Sequence, residues 1–184
     1  MLRIIAGEYG RRVIKAPAGQ RTRPTSDRVR ESLFSTLNKL ADLDGAAFVD
    51  LYAGSGAIGL EALSRGAGRA VFVDSGPDAV AVIRDNVRSL GVEAQCRVEA
   101  SSVQSFLSRP ASLAADLVFL DPPYTQSVDA DLELLVSRGW LAPDALVVVE
   151  RGTRTDDPAW PDGLAVEEER VYGETKLWYT RGSR

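Results

Sequence analysis

The chain has 184 residues, 45% of them hydrophobic and 26% charged, with a net charge of −4; this is the profile of one ordinary soluble domain with a full core. It has no histidine and a single cysteine, which excludes histidine-based acid/base catalysis, Ser-His-Asp triads, most zinc sites and any intrachain disulfide. No apolar run approaches the ~20 residues of a membrane span, and Met1–Gly7 lacks the apolar region of a signal peptide, so a cytoplasmic protein without membrane or metal is expected.

Residues 1–40 hold nine Lys/Arg and three acids, a net of +6, leaving −10 on the remainder. A basic arm on an acidic body suggests an anionic partner at the arm; a solvated basic surface is the alternative. Arg3–Ala6 and Arg12–Ala16 read as short strands around Gly7-Glu-Tyr-Gly10, a hairpin. A Pro/Gly/Arg loop follows from Pro17 to Pro24. Thr25 or Ser26 is expected to cap a helix to about Leu40, with Asp27 in its first turn. Val29, Leu33 and Leu37 recur every four residues, widened by Phe34 and Leu40, and leave Arg28, Arg30 and Lys39 off the apolar stripe.

From Ala46 strand and helix alternate. Strands are predicted at 46–52, 70–74, 94–99, 115–121 and 145–150, and helices at 57–65, 77–90, 102–107 and 128–138. Pro77 opens its helix and Gly91 closes it. Alternation of this kind predicts a parallel sheet with helices on both faces. Two final strands, 165–172 and 175–181, are separated only by Gly173-Glu174 and should pair antiparallel. Thr153–Gly163 is a polar connection. Cys96, in a strand, is read as a structural thiol.

The first strand of the sheet enters Gly54-Ser-Gly-Ala-Ile-Gly59, a G-x-G-x-x-G in strand–loop–helix context. Gly54 permits the turn, Gly56 close approach of a ligand, and Gly59 packing of helix on strand. Asp74, twenty residues after Gly54, is placed to take both ribose hydroxyls. A dinucleotide site is the obvious alternative. Asp50, four residues before Gly54, suits a ligand amino group instead, which a pyrophosphate lacks, and no hydride-transfer machinery is apparent. A nucleoside with an amino-acid tail, of the shape of S-adenosylmethionine, fits better.

The apolar strand Leu117–Leu120 ends in Asp121-Pro-Pro-Tyr124. Prolines cannot continue a strand, so the chain stops at the carboxyl end of a core strand, where open α/β sheets hold ligands. A carboxylate, proline carbonyls without local pairing and an aromatic face suit a planar base carrying an exocyclic amine.

With both motifs placed, the chain resembles a class I S-adenosylmethionine-dependent methyltransferase. Asp50-Leu-Tyr-Ala-Gly-Ser-Gly56 resembles that class's cofactor loop, and Asp121–Tyr124 the motif of its exocyclic amino methyltransferases. Arg3-Ile-Ile-Ala-Gly7, Arg23–Phe34, Gly59-Leu-Glu-Ala-Leu-Ser-Arg65 and Gly139-Trp-Leu141 resemble the RsmD family, the bacterial 16S rRNA guanine-966 N2-methyltransferases, over nearly the whole chain. Two positions depart from the pattern: Asp74 stands where glutamate is more usual, and Glu99-Ala-Ser-Ser102 lacks an aspartate for the adenine amine, leaving Ser101 or Ser102 to accept it.

The resemblance implies a Rossmann-like α/β fold: a mostly parallel seven-stranded sheet, an antiparallel C-terminal hairpin, and an N-terminal β-hairpin and helix. Residues 1–24 form the RNA-docking arm and 25–184 the methyltransferase domain. It implies S-adenosylmethionine held by Asp50, Tyr52, Ala53, Gly54, Ser55, Gly56, Gly59, Asp74, Ser101 and Ser102, and catalysis by Asp121, Pro122, Pro123 and Tyr124. It implies contact of Arg3, Arg11, Arg12, Lys15, Arg21, Arg23 and Arg28 with 16S rRNA, in a small subunit or assembly intermediate, by a monomer. Tyr172-Gly173 lines the target pocket or merely makes its turn. The competing readings are an amino methyltransferase acting on DNA adenine or another RNA, and a non-catalytic nucleotide- or RNA-binding module.

Overall fold

The structure, a computed structural model, describes residues 1–18 and 27–183; the expected cap residues Thr25 and Ser26, with Arg21 and Arg23, lie outside that range. The helices are α1 (Asp27–Leu40), α2 (Ala57–Ser64), α3 (Pro77–Leu90), α4 (Val103–Leu107) and α5 (Asp129–Ser137). The strands are β1 (Ala47–Leu51), β2 (Arg69–Asp74), β3 (Cys96–Ala100), β4 (Ala115–Leu120), β5 (Leu141–Gly152), β6 (Leu164–Tyr172) and β7 (Thr175–Gly182). All seven lie in one sheet, ordered β3-β2-β1-β4-β5-β7-β6. The first five are parallel, and β7 runs antiparallel between β5 and β6, as the alternation and the two-residue turn predict.

Successive residues of the central strands feed opposite faces, as the period of two demands. Phe48, Phe72, Leu117, Phe119 and Val148 pack under α1, α2 and α3. Val49, Leu51, Val71, Val118, Leu120 and Val149 pack under α4 and α5. β5 starts four residues earlier than predicted; its register against β4 shifts between Ala115 and Leu117, accommodating Pro143. α3 has Pro77 at its first turn and Gly91 at φ 74° as its cap, and Ser102 caps α4 by accepting the Ser105 N–H at 3.2 Å. Gly173 closes the final hairpin at φ 61° with open space around its Cα, so the turn alone accounts for a glycine there.

Two expectations are corrected. Arg30, placed off the apolar stripe of α1, is 1% exposed; its Nη2 donates to the Arg3 carbonyl at 2.8 Å and to Asp27 Oδ1 at 2.7 Å, which draws it under the arm. The arm does fold back as a hairpin, with Ile4 N–H on the Arg12 carbonyl at 2.9 Å and Ile14 N–H on the Leu2 carbonyl at 3.0 Å, but its ladder is one isolated bridge, Arg3 to Val13, in place of two strands. The reason is competition for its backbone: the N–H groups of Ile5 and Ala6 donate to the carboxylate of Glu61, at 2.7 and 3.0 Å, and Glu8 N–H donates to the Ser64 carbonyl at 2.7 Å. Gly7 lies so close to α2 that a Cβ there would sit 1.8 Å from the Ser64 carbonyl oxygen.

Ile4 and Ile14 belong to the same core as α1 to α3. The arm is therefore built into the domain, and removing residues 1–17 would open the core as well as delete a basic surface. Ile4→Ala is expected to lower stability by about 2–5 kcal/mol in urea unfolding, where a side chain on a loosely attached appendage would change it by less than ~0.5 kcal/mol.

Candidate active site

The strand order places β1 beside β4, and Leu51 pairs with Leu120. This is the point where the sheet's winding reverses, and two neighbouring strands send their following loops apart to leave a crevice. The glycine loop leaves β1 there, and the acid-proline-proline-tyrosine loop leaves β4. The two motifs, about seventy residues apart in sequence, start from adjacent strand ends, with Asp121 N–H directed at the Leu51 carbonyl, 3.5 Å away.

Two carboxylates hold the glycine loop. Asp50, 2% exposed, accepts the Gly59 N–H on Oδ2 at 2.9 Å, so it is engaged inside the fold, at the positive end of α2, and its partner there is the backbone rather than a ligand amine. Asp74 accepts Gly54 N–H on Oδ2 and Gly76 N–H on Oδ1, each at 2.8 Å. Both Asp74 oxygens are thereby oriented, and their remaining lone pairs are half-exposed where a ribose would lie. Gly54 and Gly56 have φ of 57° and 75°, conformations that favour glycine. Gly59 has a packing reason: a Cβ would fall 2.4 Å from Phe72 Cε1. Ala53 N–H is bonded to the Val73 carbonyl at 3.1 Å, and the Ser55 carbonyl accepts Asn86 Nδ2 at 3.0 Å.

Tyr52 differs from expectation. At φ 61°, rare for a residue with a Cβ, its side chain turns toward α5. Its hydroxyl donates to Asp131 Oδ2 and accepts from Gln126 Nε2, both at 2.6 Å. Ser101 N–H bonds the Asp74 carbonyl at 3.1 Å, beside the expected ribose position, and its buried hydroxyl has no partner among the described residues. Ser102 is committed to its cap, so Ser101 is the better placed of the two for the adenine end.

In the second loop Pro122 is buried while Pro123 and Tyr124 are exposed. The expectation of unpaired proline carbonyls is corrected at Pro123, whose oxygen accepts Gln126 N–H at 2.9 Å to close a turn. Tyr124 is 62% exposed, and its ring rests on Gly152, where a Cβ would come within 3.1 Å of the ring. Behind the loop stands Arg151, 6% exposed, whose Nη1 donates to the Gln126 carbonyl and Nη2 to the Tyr124 carbonyl at 3.4 Å. The sequence reading missed Gln126, Asp131, Arg151 and Gly152. Arg151 carries only a faint signal, as a charge at the end of the apolar run 145–149.

The arm residues Arg3, Arg11, Arg12 and Lys15, with Arg28 of α1, are exposed. Three of them already have partners: Arg3 faces Asp27 at 3.6 Å, Lys15 meets Asp85 at 2.7 Å and Arg12 Nη2 donates to the Ser89 carbonyl at 2.6 Å. Exposed contacts of this kind contribute little to stability and leave the cations accessible. Lys15 also has a buried tie, since Asn86 accepts its N–H at 2.8 Å and donates to its carbonyl at 3.0 Å. Tyr172 meets Ser32 by a short hydroxyl–hydroxyl contact at the carboxyl end of the sheet. Cys96, half-buried, has its thiol pushed up to about 12 by burial, with Glu93 adding to it, as suits a structural thiol. Among the described residues no cluster of His, Cys, Asp and Glu is arranged to hold a metal, and no helix is long and apolar enough to cross a membrane.

The crevice is acidic and short of positive charge. Burial holds Asp50 well above the usual carboxylate range; the Gly59 amide opposes this, and the charges of Asp121 and Asp74 reinforce it. Burial pushes Asp121 up to about 7, against the pull of the Arg151 guanidinium. Such a site suits a ligand that brings cationic groups, and a sulfonium with an α-amino group is one.

The topology, the glycine loop held between two carboxylates and the acidic crevice define a class I S-adenosylmethionine-dependent methyltransferase, with S-adenosylmethionine as cofactor. The family described as Conserved hypothetical protein 95 matches residues 2–181, and the chain belongs to this, the RsmD family. It is 35% identical over 174 residues to "Ribosomal RNA small subunit methyltransferase D" of Escherichia coli K12, covering 94% of this chain and 86% of that one. A solved hypothetical protein of Thermus thermophilus superposes with a TM-score of 0.82 at 32% identity, covering 97% of this chain and 98% of that one. An RNA methyltransferase of Salinibacter ruber in complex with S-adenosyl-L-homocysteine shares the fold, with a TM-score of 0.65 at 21% identity and coverage of 88% and 94%.

With the cofactor's sulfonium seated beside Asp121, the raised Asp121 carboxyl is expected to give cofactor binding a pH dependence. In the free protein Asp121 is protonated below about 7, and a bound cation favours its ionised form. Binding then expels a proton, so affinity for S-adenosylmethionine is expected to rise with pH to about 7 and level off above it. The uncharged thioether product should show a shallower rise. Calorimetry in buffers of different ionisation enthalpy reads the released proton directly.

Proposed function

We propose that this protein methylates the exocyclic N2 amine of a guanine in small-subunit 16S rRNA. The observation that carries the reading is the convergence of Asp121–Tyr124 and Gly54–Gly59 at one switch point, in a chain whose 35%-identical relative is named for small-subunit rRNA methylation. The loop chemistry selects an exocyclic amine. The choice of guanine, and of the 966 position, is supported by the resemblance of Arg23–Phe34.

The bound cofactor supplies an electrophilic methyl on a positively charged sulfur. The protein's task is to make a poor nucleophile attack. The N2 lone pair of guanine is delocalised into its ring, and hydrogen bonds from the two N2 hydrogens to Asp121 and the Pro122 carbonyl pull the nitrogen toward tetrahedral geometry. Tyr124, exposed and seated on Gly152, stacks on the extruded base. Catalysis then comes from positioning and electrostatics, and a chain without histidine loses nothing by its absence. The methylated nitrogen is strongly acidic, so its proton departs without a dedicated base. The basic arm, braced on α2 by Glu61 and on α3 by Asn86, docks rRNA phosphates, and a steep fall of RNA affinity with salt is its signature.

Asp121→Ala is expected to fold, to bind cofactor without the rise in affinity toward about pH 7, and to lose methyl transfer by about 100-fold or more. Tyr124→Phe should keep most activity and Tyr124→Ala should not. The decisive measurement is the mapping of methyl groups lost from total rRNA on deletion of the gene, with restoration by purified protein. A restored methyl group on any atom other than a small-subunit guanine N2 overturns the assignment.

A further inference from the structure

Resting on the reading of Asp121–Tyr124 as the base-holding loop, we propose that Arg151 is a positioning residue for that loop: from the end of β5 it fixes the loop's backbone from behind and supplies a buried positive charge that faces Asp121.

Three observations carry the proposal. The first is register. Leu120 of β4 pairs with Val149 of β5, so Arg151 stands two residues past the last pair on its strand, as Pro122 does on the other. The guanidinium therefore emerges beside the loop as it leaves the sheet. The second is the hydrogen bonding. Arg151 donates to the carbonyls of Tyr124 and Gln126. The fixed Gln126 in turn donates its N–H to Pro123 at 2.9 Å and its side-chain amide to the Tyr52 hydroxyl at 2.6 Å. That hydroxyl ends on Asp131 of α5, itself fully buried. One guanidinium thus fixes residues 123, 124 and 126 and ties them to Tyr52, the residue two before Gly54 in the cofactor loop.

The third is charge. The titratable groups that interact with Asp121 are Asp50 from β1 and Arg151 from β5; Asp74 of β2 acts on Asp50, and Arg151 also acts on the Tyr52 hydroxyl that donates to Asp131. Burial opposes ionisation of Asp121 and Arg151 favours it. Only an ionised Asp121 presents acceptors alone to an amine; a protonated one offers a competing O–H donor. Arg151 therefore sets both where the acceptor loop lies and whether its carboxylate accepts. A planar fork is needed to hold two carbonyls at once, and lysine supplies the charge without the fork.

The test separates these two parts in the full chain. Carboxyl-carbon NMR of the protein, with the Asp121 signal assigned through Asp121→Asn, reads the Asp121 titration without any substrate. Arg151→Met should move that midpoint upward and Arg151→Lys should leave it near that of the unaltered protein. Methyl transfer from labelled S-adenosylmethionine to unmodified small-subunit rRNA is then followed against pH. Arg151→Met should lose up to roughly 100-fold in kcat at neutral pH, with the acid limb displaced to higher pH and partial recovery in alkali. Arg151→Lys should keep the acid limb in place but turn over more slowly. An unmoved Asp121 midpoint in a folded Arg151→Met protein overturns the electrostatic role, and unchanged kcat in Arg151→Lys overturns the clamping role. Full activity in Asp121→Asn would instead sink the reading of the loop itself, so the two failures are told apart.

Discussion

The site depends on one constraint: the glycine loop must stay open to a ligand while its backbone N–H groups remain satisfied. Asp50 and Asp74 meet it from opposite sides, at Gly59 and Gly54. Each sits at the end of a buried parallel strand, so the loop is pinned by the sheet rather than by its own sequence. The same pinning drives Gly59 against Phe72, and Phe72 belongs to the core beneath α2 and α3. Cofactor loop and hydrophobic core are thus one mechanical unit. A carboxylate buried in this way is costly unless fully bonded, and the raised proton affinity of Asp50 shows that the cost is only partly offset by the protein's own amides.

Polar staples extend that unit to the arm. Glu61 lies fully buried in the middle of an otherwise apolar helix, bonding Ile5 and Ala6 N–H and Arg65 Nε at 2.7 Å. Asn86 joins Lys15 on one side to the Ser55 carbonyl of the glycine loop on the other. Breaking a buried bonded charge costs about 3–5 kcal/mol, far more than the arm's exposed ion pairs contribute, so the arm's geometry is set by the cofactor-binding body. On the proposed function, a basic surface held in fixed relation to the methyl donor presents an extended nucleic acid at a defined distance from it, which a tethered arm cannot do.

Much of this was legible in the sequence, because the strongest signals are local. Strand–loop–helix periodicity, Pro77 and Gly91 at the ends of α3, and two consecutive prolines after an apolar strand each have one physical meaning. The fold class and the facing of Gly54–Gly59 with Asp121–Tyr124 followed. What escaped has a common cause. Arg30, Arg151 and Glu61 are charged residues whose burial is decided by partners 25 or more residues away in sequence, beside the local contacts of Arg30 with Asp27 and of Glu61 with Arg65. Periodicity assigns a charge to the surface unless a distant carbonyl or amide is waiting for it. Asn86 was more accessible to inference, since it falls on the buried stripe of α3 with Ala79, Ile83 and Leu90; a polar residue there implies a bonded one. The arm's strands are shorter than alternation suggests for the converse reason, because alternation cannot show that the Ala6 N–H goes to Glu61 rather than across the hairpin.

On the proposed function, the distribution of charge explains how the chemistry proceeds without a histidine. Transfer of a methyl from a sulfonium to a neutral amine destroys one positive charge and creates another on nitrogen, so the protein needs no strong base at the moment of bond formation. It needs negative charge along the line of transfer and a counterweight that keeps the carboxylates from collapsing into their protonated forms. On the proposed reading Asp121 supplies the first, at the end of β4, with Asp50 behind it on the adjacent strand β1 bonded to the Gly59 N–H. Arg151, on β5, supplies the second while donating its N–H groups to loop carbonyls rather than to a carboxylate, so it balances Asp121 without occupying the oxygens that the amine requires.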